Sequence, residues 1–515
     1  MKAILSERGF AFNASEYAAA YGNEMLLKLQ RKYTIRTVDR TTKIPQVTKL
    51  FTLIKCPGFK IIEFPRFVMK DLVSTSPSAK APIKEVDIQL PTHETNDRVA
   101  YIGKSNPNQQ LVVKHIVDKF NKSDSFAGET LQMNAGTGKT FAAMDIIGKM
   151  KRKTLIVVPN TYLLDQWLGL LEQYFPTASV GTLYGKQKRD GDIIVGIINT
   201  VADLQSYDVA EKKPWPNIGK TLKYMKVLHT VSVDSIFNEV GLTIFDESHM
   251  YVSKEFRKVF KRIRSRYTIG LSATPDIRED KLDAIHQAWL GPILDAETLE
   301  GYSVSQDAFI SDVKMIEYHA LDANCQFKIR DDGMIEYTSI VEAIITDPYR
   351  NKIIIDEIIE LMDKGLFTFV FSDRRSHLEH LYALLEARCI ETNKAVDLEL
   401  PEAEKKVILY GGSTEATIEK AKTISTVVFT TYAYSAVGVS ITKMNGLVLT
   451  TPRRSNMKQI INRVFRLGSD QSVKRVIVDI CDAKLPIKGQ QRERVKAYQE
   501  RGSTIIKSTV NASVQ

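Results

Sequence analysis

The stretch that most narrows what this chain can become is Leu131-Gln-Met-Asn-Ala-Gly-Thr-Gly-Lys-Thr140. It reads as a buried strand, a glycine-bearing turn and the start of a helix. Phe141 to Met150 continue that helix, with Phe141, Met144, Ile147 and Met150 on an inward face. Gly136 and Gly138 let the backbone fold back, so that N–H groups along Asn134, Ala135, Gly136, Thr137 and Gly138 face one concavity. The concavity lies at a helix N-terminus, where aligned peptide dipoles favour an anion. In such a loop Lys139 reaches the β- and γ-phosphates of a nucleotide, and Thr140 sets its hydroxyl on Mg²⁺. The pattern asks for Gly or Ala five residues before Gly138, where this chain has Met133. Taken alone, the stretch also fits a glycine turn ahead of a lysine-bearing helix.

Length and composition bound the rest. With 515 residues the chain is long enough for three or so well-buried domains. No apolar run approaches membrane-spanning length, and the first residues lack a secretory hydrophobic segment. The expectation is a protein that is neither secreted nor membrane-bound. Cys56, Cys325, Cys389 and Cys481 are scattered without a C-x-x-C pair, so they read as reduced packing residues, not a disulfide framework or zinc site. The net charge of +10 is concentrated: between Lys28 and Lys70 eleven basic residues face only Asp39 and Glu63, a local excess of nine. Tyr33, Phe51, Phe59, Phe64 and Phe67 are interleaved there. A folded basic module contacting nucleic acid is therefore favoured over a merely solvated face.

In chain order, residues 1–73 read as a small α+β module, with a helix over Glu16 to Lys32 and strands from Thr48 and from Phe59 joined at Cys56-Pro57-Gly58. Residues 74–97, rich in Ser, Pro and Ala, read as a linker. From about Arg98 apolar strand runs alternate with amphipathic helices, the texture of a doubly wound parallel sheet. One such domain is expected over 98–308 and a second over 309–485. The Lys-bearing stretch from Ser206 to Asn238 reads as an insertion. Residues 486–515 read as a tail, a basic helix and then a loosely ordered Ser/Thr/Val end.

Asp246 and Glu247 follow the apolar run Leu242-Thr-Ile-Phe245, the strand edge where α/β sheets bind ligands. A carboxylate pair there supplies a metal ligand and an acceptor for an attacking water. In isolation Asp-Glu is only a polar loop. Together with Lys139-Thr140, Leu271-Ser-Ala-Thr-Pro275 and Gln459-Ile-Ile-Asn-Arg-Val-Phe-Arg466, in that order, it resembles superfamily 2 helicases and translocases of the DExH group. Asp246-Glu-Ser-His249, Thr451-Pro-Arg-Arg-Ser-Asn-Met-Lys-Gln459 and Arg466-Leu-Gly-Ser-Asp470 after a basic N-terminal module are similar to DNA helicases of large cytoplasmic DNA viruses. These are the poxvirus transcript-release helicase and its asfarvirus counterpart, relatives of XPB-type translocases.

The resemblance implies two tandem RecA-like domains that use ATP and Mg²⁺. It gives Asp246 the metal, Glu247 the attacking water, and Arg463 and Arg466 the role of fingers on the γ-phosphate beside Gln459. Gln109 resembles an adenine-reading glutamine, although Asn108 stands where relatives carry an aromatic. His249, Ser272 and Thr274 fall at coupling motifs, and Thr161, Gln166, Thr200, Arg375, Gly412, Thr431 and Gly438 at nucleic-acid-facing ones. Asn462 and Ser440 depart from the usual motifs. The implied partner is nucleic acid, DNA favoured and RNA open, in viral transcription or genome processing, with a virus factory in the cytoplasm or a virion as its place. A nucleic-acid-binding scaffold with a decayed ATPase is the reading from another class.

Overall fold

The computed structural model describes residues 2–6, 9–38, 45–72, 83, 85–89, 93–133, 137–214, 224–253, 256–273, 283–303, 311–391, 406–432, 434, 441–453, 457–465, 469–470 and 472–512. The chain divides into two compact units, Met1–Asn134 with Gly138–Ser303, and Val304–Gln515 with Ala135–Thr137.

The first unit is built on an eight-stranded sheet. Its order is Gln187–Arg189, Val180–Tyr184, Ile193–Ile197, Thr154–Val158, Leu242–Phe245, Tyr267–Ser272, Ala127–Gln132 and Ile293–Asp295. Every neighbouring pair is parallel except the first, a short hairpin. The central strands are apolar almost throughout because helices cover both faces, leaving no solvent side on which to place polar residues. Ala127–Gln132 passes through helix Lys139–Met150 to Thr154–Val158, skipping two strands that the chain fills later. That skip opens the crevice in which ligands of such sheets sit.

The N-terminal residues form a five-stranded sheet, ordered Thr52–Cys56, Phe59–Phe64, Gly9–Asn13, Lys2–Ser6, Glu85–Gln89. It is not an independent body: one hydrophobic core runs from Ala3 and Phe64 to Leu131 and Leu271. Buried Arg66 donates from Nη1 to the Ser265 carbonyl at 2.6 Å, and Phe67 meets the Phe126 ring edge-on at 5.0 Å. A Cβ on Gly128 would overlap the Phe67 ring, so glycine there sets how closely the module lies on the sheet.

Several expectations change. The stretch read as a linker contains strand Glu85–Gln89, parallel to Lys2–Ser6. The single N-terminal helix is two, Ala14–Tyr21 and Asn23–Lys32, broken at Gly22, whose φ of 88° lies in the left-handed region. The stretch from Thr48 spans two strands: Pro45–Lys49 pairs with Thr34–Val38 before Thr52–Cys56 begins. The insertion is an antiparallel hairpin of Tyr207–Pro214 and Tyr224–Val231.

The second unit carries a seven-stranded, wholly parallel sheet: Lys406–Leu409, Val427–Thr431, Thr368–Ser372, Gly446–Leu449, Arg475–Asp482, Ser311–His319, Thr504–Asn511. The end expected to be loose is its edge strand, in register from Asp312 against Thr504 to His319 against Asn511. Helix Lys488–Glu500, also assigned to the tail, is fixed by buried Arg494, whose Nε donates to Asp479 Oδ2 at 2.8 Å, and by the Tyr498 hydroxyl, 2.9 Å from the same oxygen.

Candidate active site

Because the strands run parallel, their C-terminal ends share one edge. In the first unit that edge carries Lys139 after Ala127–Gln132, Ser272 at the end of Tyr267–Ser272, and Asp246 and Glu247 after Leu242–Phe245. Thr161 follows Thr154–Val158 there, and Thr200 follows Ile193–Ile197. Topology alone thus gathers residues spread over more than a hundred positions of sequence.

Gly138 precedes the helix with φ 89° and ψ 36°, a left-handed conformation suited to glycine, and a Cβ there would strike the Gln109 amide. Met133 is buried and needs no glycine. Its N–H still donates to the Ser272 carbonyl at 3.2 Å, and its carbonyl accepts from Lys139 Nζ at 3.1 Å. Gln109 belongs to a capping box with Asn106: its N–H donates to Asn106 Oδ1 at 2.9 Å and its Oε1 accepts the Asn106 N–H at 2.8 Å. Its Nε2 donates to the Gly138 carbonyl at 3.2 Å. The amide that resembles an adenine reader is therefore bound to the loop backbone.

Asp246 is buried at the strand end. Trp167 Nε1–H donates to its Oδ2 at 2.9 Å, and the Glu247 N–H donates to its Oδ1 at 2.9 Å. Burial, then the neighbouring Glu247 carboxylate, push the Asp246 carboxyl up to about 6, against the pull of the Trp167 bond, the Lys139 ammonium and the Glu247 amide. Glu247 adopts φ 49° and ψ 48°, one of two described non-glycine residues at positive φ. Such a conformation costs on the order of 1–3 kcal/mol and persists where surrounding packing imposes it. Its Oε2 is buried without a hydrogen-bond donor among the described residues; His249 Nδ1 lies 3.5 Å away and 3.1 Å from the Ser272 hydroxyl. The Ser248 hydroxyl donates to the Leu271 carbonyl at 3.1 Å, so the box and the Ser272 strand are joined twice. Behind them His286 is held neutral, pushed down to about 4 by burial and then by His249.

Trp167 belongs to none of the motifs that mark the site in the sequence. The available signal was its indole N–H on the inward face of helix Thr161–Tyr174, alongside Leu164 and Leu171, where a buried donor needs an acceptor. Thr161 and Gln166 lie exposed on this helix. Thr200 Oγ1 accepts the Gly185 N–H at 3.4 Å.

In the second unit Arg375, Gly412 and Thr431 follow or end strands at the C-terminal edge of its sheet. Arg375 Nε donates to Glu379 at 2.7 Å, and its guanidinium lies 3.7 Å over the Tyr410 ring. Gly412 has φ 102°, and Thr431 Oγ1 accepts the Tyr434 N–H at 3.3 Å. Arg463 is buried in the short turn Asn462–Val464. Asn134, Ala135, Gly136, Thr274, Gly438, Arg466 and the side chain of Gln459 lie outside the described residues.

The family described as Type III restriction enzyme, res subunit, matches residues 102–277, most of the first unit's large sheet. An African swine fever virus protein named as an ATP-dependent RNA helicase is 28% identical over 423 residues, covering 77% of this chain and 74% of the viral protein. A protein named DNA 3′-5′ translocase XPB2, from Sulfurisphaera tokodaii, is 28% identical over 167 residues, covering 32% of this chain and 31% of its own. Among solved structures, a fragment of an HsdR subunit of a type I restriction enzyme from Vibrio vulnificus aligns at TM-score 0.51 and 15% identity over 97% of this chain and 82% of the fragment. It supports the fold of two tandem RecA-like domains.

Proposed function

We propose that this ATP-hydrolysing helicase of superfamily 2, similar to the asfarvirus proteins, couples ATP turnover to movement along DNA, in viral transcription or genome processing. The observation that carries the reading is the pair at the strand end: Asp246 buried and anchored by Trp167, and Glu247 held at positive φ directly beside it. Two adjacent carboxylates at the end of an apolar strand, with the Lys139 ammonium drawing on Asp246, form the set that a hydrated divalent cation and a bound water would complete. Thr140 and Asp246 would hold Mg²⁺, which supplies charge neutralisation on the transferring phosphoryl group. Lys139 binds the phosphates, and Glu247 accepts a proton from, or orients, the attacking water. Arg463 and Arg466 would supply guanidinium charge to the γ-phosphate, the role the resemblance gives them. Such fingers contribute on the order of 10³–10⁵ in rate. Gln109 steadies the phosphate loop through the Gly138 carbonyl.

Nucleic acid is the partner, bound through phosphates and so with little sequence preference and strong salt dependence. The relative from African swine fever virus is named for RNA and the archaeal one for DNA, which gives an RNA-driven motor as the second reading. ATP turnover by purified protein against matched single-stranded, duplex and branched DNA and RNA decides between them. Stimulation by DNA is expected. Stimulation by RNA alone establishes the second reading, and absence of ATP turnover under all conditions removes the motor.

A further inference from the structure

A cleft of about 390 Å³ separates the N-terminal sheet from the turn Phe256–Arg262 and helix Asp283–Leu290, all within the first unit. Lys49 and Phe51 line one wall; Arg257, Lys258, Lys261 and Trp289 line the other. Four cationic side chains face one acidic one, Glu63, giving a cleft of net charge +3 at neutral pH. The walls are tied together, since Arg257 Nη1 donates to the Thr48 hydroxyl at 3.0 Å. The half-buried Trp289 ring is stacked on Phe260 at 5.7 Å and 10° between planes, so it is held in place before anything binds. Cations set around a pre-positioned aromatic ring suit a phosphodiester with its base, the pairing that single-strand-binding surfaces use. The volume is within the usual range for a small-ligand site.

We propose that this cleft is a nucleic-acid contact of its own, taking backbone phosphates on Lys49, Lys258 and Lys261 and a base against Trp289. It is connected to the chemistry. Phe260 packs on Phe245 at 5.3 Å, Phe245 on Tyr251 at 5.3 Å, and Phe245 immediately precedes Asp246. A strand seated in the cleft therefore presses on the aromatic cluster that carries the Asp246–Glu247 turn. The proposal rests on nucleic acid being this protein's partner, and not on which polymer it is.

The test uses the full chain, and its binding measurements contain no ATP. Binding of a labelled oligothymidylate is followed by anisotropy across a salt series for wild type and for Lys49→Glu, Lys261→Glu and the double variant. The double variant should bind on the order of tenfold or more weakly, with a salt slope shallower by about 1 per lysine. Its ATP turnover without nucleic acid should be unchanged. Photocrosslinking of a halouracil oligonucleotide to the wild-type chain, read by peptide mapping, should mark the peptide bearing Trp289. An unchanged slope in folded variants, crosslinks only elsewhere, or equal displacement by polyglutamate each overturns the proposal. Absence of ATP turnover would sink the motor reading and leave this result standing.

Discussion

The two sheets are wound alike, and the carboxylates at the C-terminal edge of the first are arranged differently from those buried in the second. In the first unit two neighbouring carboxylates, Asp246 and Glu247, meet an indole N–H and a backbone N–H, while one Glu247 oxygen has no donor among the described residues. In the second, buried carboxylates are paired within the fold. Arg350 grips Asp482 through Nε at 2.7 Å and Nη2 at 3.1 Å, Arg494 and Tyr498 converge on Asp479, and neutral His377 lies between Ser372 and Asn351 at 3.0 Å each. The same architecture thus carries two adjacent carboxylates at one sheet edge and arginine-paired carboxylates inside the other sheet. The first arrangement favours chemistry, the second rigidity.

The largest effect that would sharpen this contrast lies in the second unit. Asp479→Asn should destabilise it by about 3–5 kcal/mol by stranding the Arg494 charge. Chemical denaturation checks this, and Asp479→Leu combined with Arg494→Leu should recover much of the loss. In the first unit Trp167→Phe keeps the ring but removes the donor to Asp246. The expected outcome is a 10- to 100-fold rise, as an order of magnitude, in the Mg²⁺ concentration that half-saturates nucleotide binding, with the melting temperature little changed. A melting loss without a shift in Mg²⁺ dependence would make Trp167 a packing residue only. The smallest effect is acid sensitivity. Burial, then the Arg350 charge, push His377 down to about 3, so the unfolded chain takes up the proton first. Stability is therefore full above the ordinary histidine pKa and is lost as pH falls below it. Between pH 7 and 6 this residue accounts for about 0.7 kcal/mol, and His377→Asn should remove that part of the slope.

Much of the first unit was legible because strands buried on both faces read as unbroken apolar runs, and because a phosphate loop needs glycine at Gly138 for a backbone reason. The edge strands Glu85–Gln89 and Thr504–Asn511 were not. Both are half-exposed and polar, and the second pairs with Ser311–His319, far away in sequence, so nothing local announces it. The basic stretch from Lys28 to Lys70 reads as one folded module, and nothing local says which cation turns inward. Arg66 does, to the Ser265 carbonyl just ahead of strand Tyr267–Ser272, and among the interleaved aromatics Tyr33, Phe64 and Phe67 build core. At the site, the carboxylates were legible from their place after a strand. Gln109's engagement with Gly138 and Trp167's with Asp246 were not, because each joins elements that only tertiary packing brings together.

The central claim is that Glu247, held at positive φ beside Asp246, activates the water that cleaves ATP. Single-turnover hydrolysis by Glu247→Gln, with nucleotide binding measured in parallel, tests it most directly. The account predicts retained binding and a cleavage rate lower by on the order of 10²–10⁴. Cleavage at the wild-type rate by a folded, nucleotide-bound variant would contradict it.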